Sequence, residues 1–555
     1  MGTLRRSAAL ASIALMLAAC APVIAGPELP RPQTPAPTTT TVPPPVTTLD
    51  TSAVTAAKCP TAFCLIYHIA PDAAWSDGTP VSAADFAHTA ELLGDPLRDG
   101  VGGYELVSEV DTVEPGTARI AFSESYGPWP SLFGRLLPAH ADSIDVTISP
   151  GTGAFRIVDW IPGDRIVVQR IEDWWSPVDP ISDDPTGDVE EITFVFIDDL
   201  SEMIDALDDG TVDVIAARPD PEAVARLEGL ENVAYAVSAG SFWEHVDFHH
   251  EDELLARDWV REALDLAIDR QKILDRTVGL LSPTLAALDN TVWMANTEWY
   301  EPHYIDRHDA AAAERLLIEN GCVRDGDIQT CGDRELSFVW TSTNDDPTRL
   351  EIFESVREDL EVIGVEIVGD FRSPSSFVTR EHLFGGPGVW QLINFSWRAD
   401  GDPSAGDRSY YCDDTELNVN RYCSPAVEEL VRRAGTLTVP GERAAVYNEA
   451  DRLYLEDRAL IPLYQKPELM AWSTDIAGVS PNYTPSSVLW NIAAWRGKQS
   501  IVVALESEPR ALDPLSTSDE SANVVMATLL YGAFGMDPSS RKVPALVDSV
   551  EIVSR

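Results

Sequence analysis

Six of the seven cysteines in this chain fall into three sequence-local couples: Cys59 with Cys64, Cys322 with Cys331, and Cys412 with Cys423. Thiols this close along a chain need only a modest loop closure, and outside the cytoplasm that pattern favours disulfides. Six cysteines admit many pairings, so proximity suggests these couples without fixing them. A zinc site is the rival reading, but no CxxC pair or HExxH spacing accompanies the cysteines. The expectation is a folded body stapled at three places, with no metal ion and no cofactor.

The seventh cysteine points to the compartment. Arg5 and Arg6 precede an apolar run from Ala8 to Ala19, shorter than the ~20 residues a bilayer span requires and suited to the h-region of a secretion signal. The run ends in Leu17-Ala18-Ala19-Cys20, which resembles a bacterial lipobox, where cleavage leaves an N-terminal cysteine that receives lipid. A Pro- and Thr-rich stretch follows to about Thr55, including Thr38-Thr39-Thr40-Thr41 and Pro43-Pro44-Pro45. Such a composition cannot form a core and favours extended chain. Residues 1–19 thus read as a signal peptide and 20–57 as a tether lipidated at Cys20, holding the body at the outer face of the bacterial cytoplasmic membrane.

Charge removes a further class of function. Forty Lys and Arg against ninety Asp and Glu give a net charge of −50, which is incompatible with the basic footprint of a nucleic-acid-binding protein. Hydrophobic residues still make up 45% of the 555 residues, enough for large cores, so the acidity reads as a property of the surface that aids solubility. Catalytic signatures are missing as well. There is no GxxxxGK[ST] loop and no GxSxG elbow, and the Gly151-Thr152-Gly153 turn lacks the lysine and spacing that would hold a polyphosphate. His245, Asp247, His249 and His250, followed by Glu251 and Asp252, could in principle ligate a metal. Their alternation with Val246 and Phe248 instead reads as a strand whose polar face carries imidazoles. ATPase and hydrolase readings therefore start weak.

From Trp75 the chain reads WSDGTPVSAADFAHTAELL. Asp77-Gly78 signals a turn, Ser82 can cap a helix with Asp85 in its first turn, and Phe86, Ala90 and Leu93 share a face. A tryptophan, an SDGTP turn and a helix opening Ala-Asp resemble the signature of family 5 extracellular solute-binding proteins, the oligopeptide, dipeptide and nickel receptors of ABC importers. Further stretches are similar to this family in its own order: GTGAFRIVDWIPGDRIVVQRIEDWW from Gly151, RDWVREALDLAIDRQKIL from Arg257, HDAAAAERLLIENG from His308 with Gly321 past the helix end, NFSWRADGDP from Asn394, and ERAAVYNEADRLYLEDRALIPLYQ from Glu442. The resemblance implies an α/β fold of the periplasmic-binding-protein type II class, in the large peptide-binding cluster. Two lobes and an extra subdomain close on a hinge.

The order breaks at one point. Segments resembling the family's opening, SIVVALESEPRALDP from Ser500, SANVVMATLLYGAFGMD from Ser521 and VPALVDSVEIV from Val543, stand behind Trp490 to Trp495, which resembles its closing strand. A circularly permuted domain explains this order better than a truncated tandem copy, because the tail stops about where Phe63 to Ile69 picks up. The expected organisation is a main body at 58–499 (first lobe and subdomain 58–255, second lobe 256–480, return to the first lobe 481–499) and a segment 500–555 completing the first lobe. Val550 to Val553 should pair antiparallel with Phe63 to Ile69.

In peptide-binding members the aspartate of the pocket segment meets the ligand's α-amino group. By position this is Asp400, with Trp397 as a wall of the pocket; the competing reading has Asp400 capping the turn before Asp402-Pro403. No arginine can be assigned to a peptide carboxylate, and Ser373 to Trp390 matches the family poorly. The implied partners are a small solute, expected to be an oligopeptide, and an ABC permease with separate ATPase subunits. The receptor itself is expected to be a monomer. Sugars or metal chelates are the rival ligands on the same scaffold, and a non-transport envelope protein is the rival class.

Overall fold

The computed structural model describes residues 59–94, 102–175, 187–324, 326–399, 402–482, 488–515, 519–537 and 541–554. The expectations for the signal, the tether and Cys20 lie outside these residues. Local elements follow the sequence closely at the first motif. Ser82 and Asp85 form a reciprocal capping box on the helix Ala83–Leu93, which buries Phe86 and Ala90. Gly78 takes the left-handed conformation that the Asp77-Gly78 turn requires. Gly321 does the same just past Asn320, which ends the helix Ala310–Glu319.

Part of the acidic excess has a local purpose. Asp199, Asp220, Asp269, Asp309, Asp346 and Asp519 each cap a helix by accepting a backbone N–H of its first turn. A carboxylate there satisfies an orphan donor and meets the positive end of the helix dipole. Asp269 also separates two successive helices. The helix Asp258–Ala267 stops at Ile268, and Asp269 starts Arg270–Arg276.

Ten strands form the central sheet, in the order Glu366–Arg372, Ser337–Thr343, Leu392–Arg398, Val233–Phe248, Leu460–Ser473, Val214–Ala217, Ser500–Leu505, Glu191–Phe196, Arg165–Arg170 and Phe155–Ile161. Two of them are long, Val233–Phe248 at 16 residues and Leu460–Ser473 at 14. They run antiparallel from Leu460 opposite Asp247 to Ser473 opposite Val233. One end of the pair lies beside Val214–Ala217 and the other beside Leu392–Arg398. Register shifts fall at Pro462/Tyr464 and Gln465/Pro467, where prolines withhold the ladder N–H and bend the pair.

Separate hydrophobic cores flank this crossing. One body packs Phe63, Phe86, Phe122, Phe133, Phe155, Ile192 and Val503 together. The other holds Val260, Leu264, Phe338, Trp340 and Val356 in one cluster, with Tyr447 and Tyr454 in an adjoining one. The fold is thus α/β with two lobes joined by the crossing strands.

The tail is interior to the first lobe. Ser500–Leu505 lies parallel between Glu191–Phe196 and Val214–Ala217, and Ile501 and Ala504 are inaccessible to solvent. Val547–Ser554 pairs antiparallel with Phe63–Ile69, placing Val553 opposite Cys64 and Val550 opposite Tyr67. With Thr117–Phe122 and Val107–Asp111 they make a four-stranded sheet. Trp490 to Trp495 differs from the expected closing strand. It forms a 3₁₀ turn at Ile492–Ala494, and buried Trp495 donates to Asn491 Oδ1. Ser500–Leu505 is reached from it through Gly497, whose left-handed backbone allows an approach to Asp475 that any side chain would block. Disulfides join Cys59 to Cys64, Cys322 to Cys331 and Cys412 to Cys423.

Candidate functional site: the interlobe crossing

Trp397 sits near the end of the strand Leu392–Arg398, opposite Trp243 of the crossing strand. Its half-buried indole meets Phe395 edge-on at 4.9 Å and lies parallel to the His245 imidazole at 6.3 Å. The Ala399 amide donates to Ser241 O at 2.7 Å, tying the segment to the crossing strand. Asp400, the other expected ligand residue, lies outside the described residues. Asp402, two residues on, accepts from Ser404 N and starts the 3₁₀ helix Pro403–Tyr410. Asp402 also takes a two-pronged contact from Arg443, at 2.6 and 2.7 Å.

The histidine-rich stretch forms a strand, as expected from its alternation, but its polar side is not a surface. His245, Asp247 and His249 are as buried as Val246 and Phe248, because the strand lies inside the sheet with packed layers on both faces. Each imidazole is held separately. His245 Nδ1 bonds Asp247 Oδ1 at 2.9 Å, His249 Nε2 bonds Gly385 O, and His250 Nε2 bonds Ala459 O. Burial drives the His250 pKa down to about 3, so that ring is neutral. Among the described residues no group of three or more His, Cys, Asp or Glu side chains is placed to hold a metal ion.

Charges far apart along the chain converge on the crossing. Glu244, wholly buried on one crossing strand, accepts from Arg349 at 3.1 Å and from Asn394 Nδ2 at 3.0 Å. Lys466 of the other crossing strand lies 3.6 Å from Glu244 and pairs with Asp346. Burial opposes ionisation of Asp346, yet the Lys466 charge and hydrogen bonds hold its pKa at about 2. Arg349 further donates to Ser396 and Thr343. Three elements of the second lobe, the helix Pro347–Val362 with its cap and the strands Ser337–Thr343 and Leu392–Arg398, are thereby locked onto the two crossing strands.

Glu468, two residues beyond Lys466, is different. Its side chain lies flat against Gly240, where a Cβ would stand 2.5 Å from its Cγ. Burial and then the nearby Glu520 charge push its pKa up to about 7. Glu506 and Arg218, which also act on it, follow the C-terminal ends of the parallel strands Ser500–Leu505 and Val214–Ala217, the edge where open α/β sheets bind ligands. Beside this point a cavity of about 270 Å³ is lined by Ser238, Ala239, Thr284, Leu285, Leu288 and Gln465. Its walls are small and mostly apolar, with no charged group.

The Gly151-Thr152-Gly153 turn has a structural task. Gly153 N donates to Leu529 O, and Thr152 Oγ1 and Tyr531 exchange hydrogen bonds in both directions. Across the lobes, Gly127 N donates to Gly435 O and Trp129 Nε1 to Thr438 O, both at 2.8 Å. No helix among the described residues is long and apolar enough to cross a membrane.

Comparison with known proteins accords with this architecture. The chain is 24% identical over 433 residues to the oligopeptide-binding protein OppA of Mycobacterium tuberculosis strain H37Rv, covering 74% of this chain and 70% of that protein. The solved periplasmic EDTA-binding protein EppA shares the fold with a TM-score of 0.66 at 20% identity, covering 79% of this chain and 85% of that one. The oligopeptide-binding protein AppA of Bacillus subtilis, solved with a nonapeptide, gives 0.54 at 17% identity, covering 79% and 88%. The family model described as bacterial extracellular solute-binding proteins, family 5 Middle, matches residues 62–415. With two cores joined by a pair of crossing strands, this chain belongs to the bacterial extracellular solute-binding proteins of family 5.

Proposed function

We propose that this protein is the substrate-binding component of an ABC importer, anchored at the outer face of the cytoplasmic membrane through lipid on Cys20, and that it captures peptide-like solutes between its lobes. The observation that carries the reading is the crossing itself. Two bodies with separate cores share one antiparallel strand pair, Val233–Phe248 with Leu460–Ser473, which is the arrangement a hinge needs. Trp397 stands at the second-lobe end of that pair, and Glu468 lies along it. The similarity to an oligopeptide-binding protein over most of the chain favours peptides; the likeness to an EDTA-binding protein keeps metal chelates as the second reading. Asp400 is the proposed receptor for the ligand's α-amino group. A carboxylate in a closing, water-poor cleft binds a cation far more strongly than one on the surface.

In the same reading, residues 500–554 take the place of the family's opening segment, placed behind its close. The antiparallel pairing of Val547–Ser554 with Phe63–Ile69 supports this.

A thermal-shift screen of peptides, nickel chelates and glycans tests the proposal. A ligand at 100 times its dissociation constant adds about 2.7 kcal/mol of stability. Stabilisation by peptides supports the assignment, stabilisation by chelates alone moves it to the second reading, and chemical turnover of a hit overturns both.

A further inference from the structure

The sequence offers no arginine for a ligand carboxylate, but the structure brings a lysine to the lobe junction. Phe534–Met536 and Lys542–Pro544 form a small antiparallel ribbon with Met536 opposite Lys542. The ribbon packs on the first lobe through Phe534, whose ring lies 6.3 Å from that of Trp129 and 6.2 Å from that of Tyr67. Trp129 in turn donates to Thr438 O of the second lobe, and Gly127 to Gly435 O. Next to these acceptors, Ala434 O receives Arg443 Nε at 3.2 Å, and the same guanidinium grips Asp402. The ribbon is therefore seated where the two lobes meet, close to the loop that carries the pocket segment.

The Lys542 side chain is half-buried there, and its ammonium makes no hydrogen bond or ion pair with any described residue. The opposing charge that acts on it is Asp402, and Asp402 is already satisfied by Arg443 on both oxygens and by Ser404. Burial pulls the Lys542 amine below the usual lysine range, while the Asp402 charge acts against it. An ammonium partly removed from water and left without an acceptor is costly unless an anion completes it.

We propose that the Lys542 ε-ammonium receives a carboxylate of the bound solute, so that the preferred ligands are small molecules with a free carboxylate, such as short peptides with an unblocked C-terminus. This rests on the peptide-receptor reading above. It assigns specificity to a residue of the tail segment, so that the tail contributes to the choice of ligand as well as to the fold.

Isothermal titration of trialanine and trialanine amide into the full-length protein, Lys542→Met and Lys542→Arg tests it. Wild type is expected to bind the acid about 10-fold or more tighter than the amide, the scale of one charge-assisted hydrogen bond. Lys542→Met should bring the two affinities together, and Lys542→Arg should restore the preference. If the Met variant does not melt like wild type, Lys542→Gln replaces it. An acid preference retained without the amine, or no preference in wild type, overturns this assignment alone. Binding of neither probe to wild type counts against both the peptide reading and the assignment.

Discussion

The backbone amide of Gly153 donates to the carbonyl of Leu529 at 2.9 Å, and a methyl group at Gly153 would stand 2.3 Å from the neighbouring Thr528 carbonyl. A turn near the start of the first lobe and the end of a helix in the tail thus share one backbone interface. Gly153→Val is expected to destabilise the protein by about 1–3 kcal/mol through overpacking. A chain ending at Gln499, which lacks the strand Ser500–Leu505 from the middle of the sheet, should lose its cooperative melt altogether. Circular dichroism melts check both. A truncated protein that melts as one unit would refute the structural role of the tail.

Breaking the hinge network on one side is predicted to cost more than removing it. Arg349→Met leaves Glu244 buried without its main counter-charge and should destabilise by about 3–5 kcal/mol. Adding Glu244→Gln should recover a substantial part of that loss, since the uncompensated charge is then gone. Urea denaturation of the two single variants and the double variant gives the coupling. Strict additivity would show that the pair does not act as a unit.

Asp407 gives a pH dependence of definite sign. Its carboxyl accepts Tyr447 OH at 2.7 Å beneath the Arg443–Asp402 pair, and burial pushes its pKa up to about 7 despite that hydrogen bond. The unfolded carboxyl titrates near ~4, so between about pH 4 and 7 the native state holds a proton that the unfolded state has lost. Stability from this group is therefore greatest at low pH and falls as pH rises to about 7. Asp407→Asn keeps the acceptor for Tyr447 and should flatten this part of the profile, melting with wild type near pH 5 and above it at pH 8. Melting temperatures that track wild type at every pH would refute it.

For the proposed pocket, Asp400→Ala should remove most of the affinity for any peptide ligand that binds through its α-amino group. Trp397→Ala should weaken binding less, because the indole is also packed on Phe395 and His245. Calorimetric affinities unchanged by Asp400→Ala would assign that residue to structure.

Much was legible wherever the information is local. Ser82 with Asp85, Gly78 and Gly321 could be placed from neighbours three or four residues away, because caps and left-handed turns depend on short-range backbone geometry. The histidine strand was legible as a strand, but not as a buried one. Alternation reports which side chains share a face, and only the packing of layers on both sides decides whether that face meets water. The Glu244–Arg349–Lys466 network and the seat of Lys542 were not legible, since their members are separated by long stretches of chain.

The sequence by itself determined the family-like order of elements and the net acidity, and it suggested the three local cysteine couples, which join near neighbours. Tertiary structure decided that Ser500–Leu505 fills the centre of the ten-stranded sheet and that Val553 meets Cys64. It also decided which buried charges find partners. Those outcomes depend on bringing distant segments within hydrogen-bond reach, a free-energy balance between loop entropy and burial that no local pattern encodes.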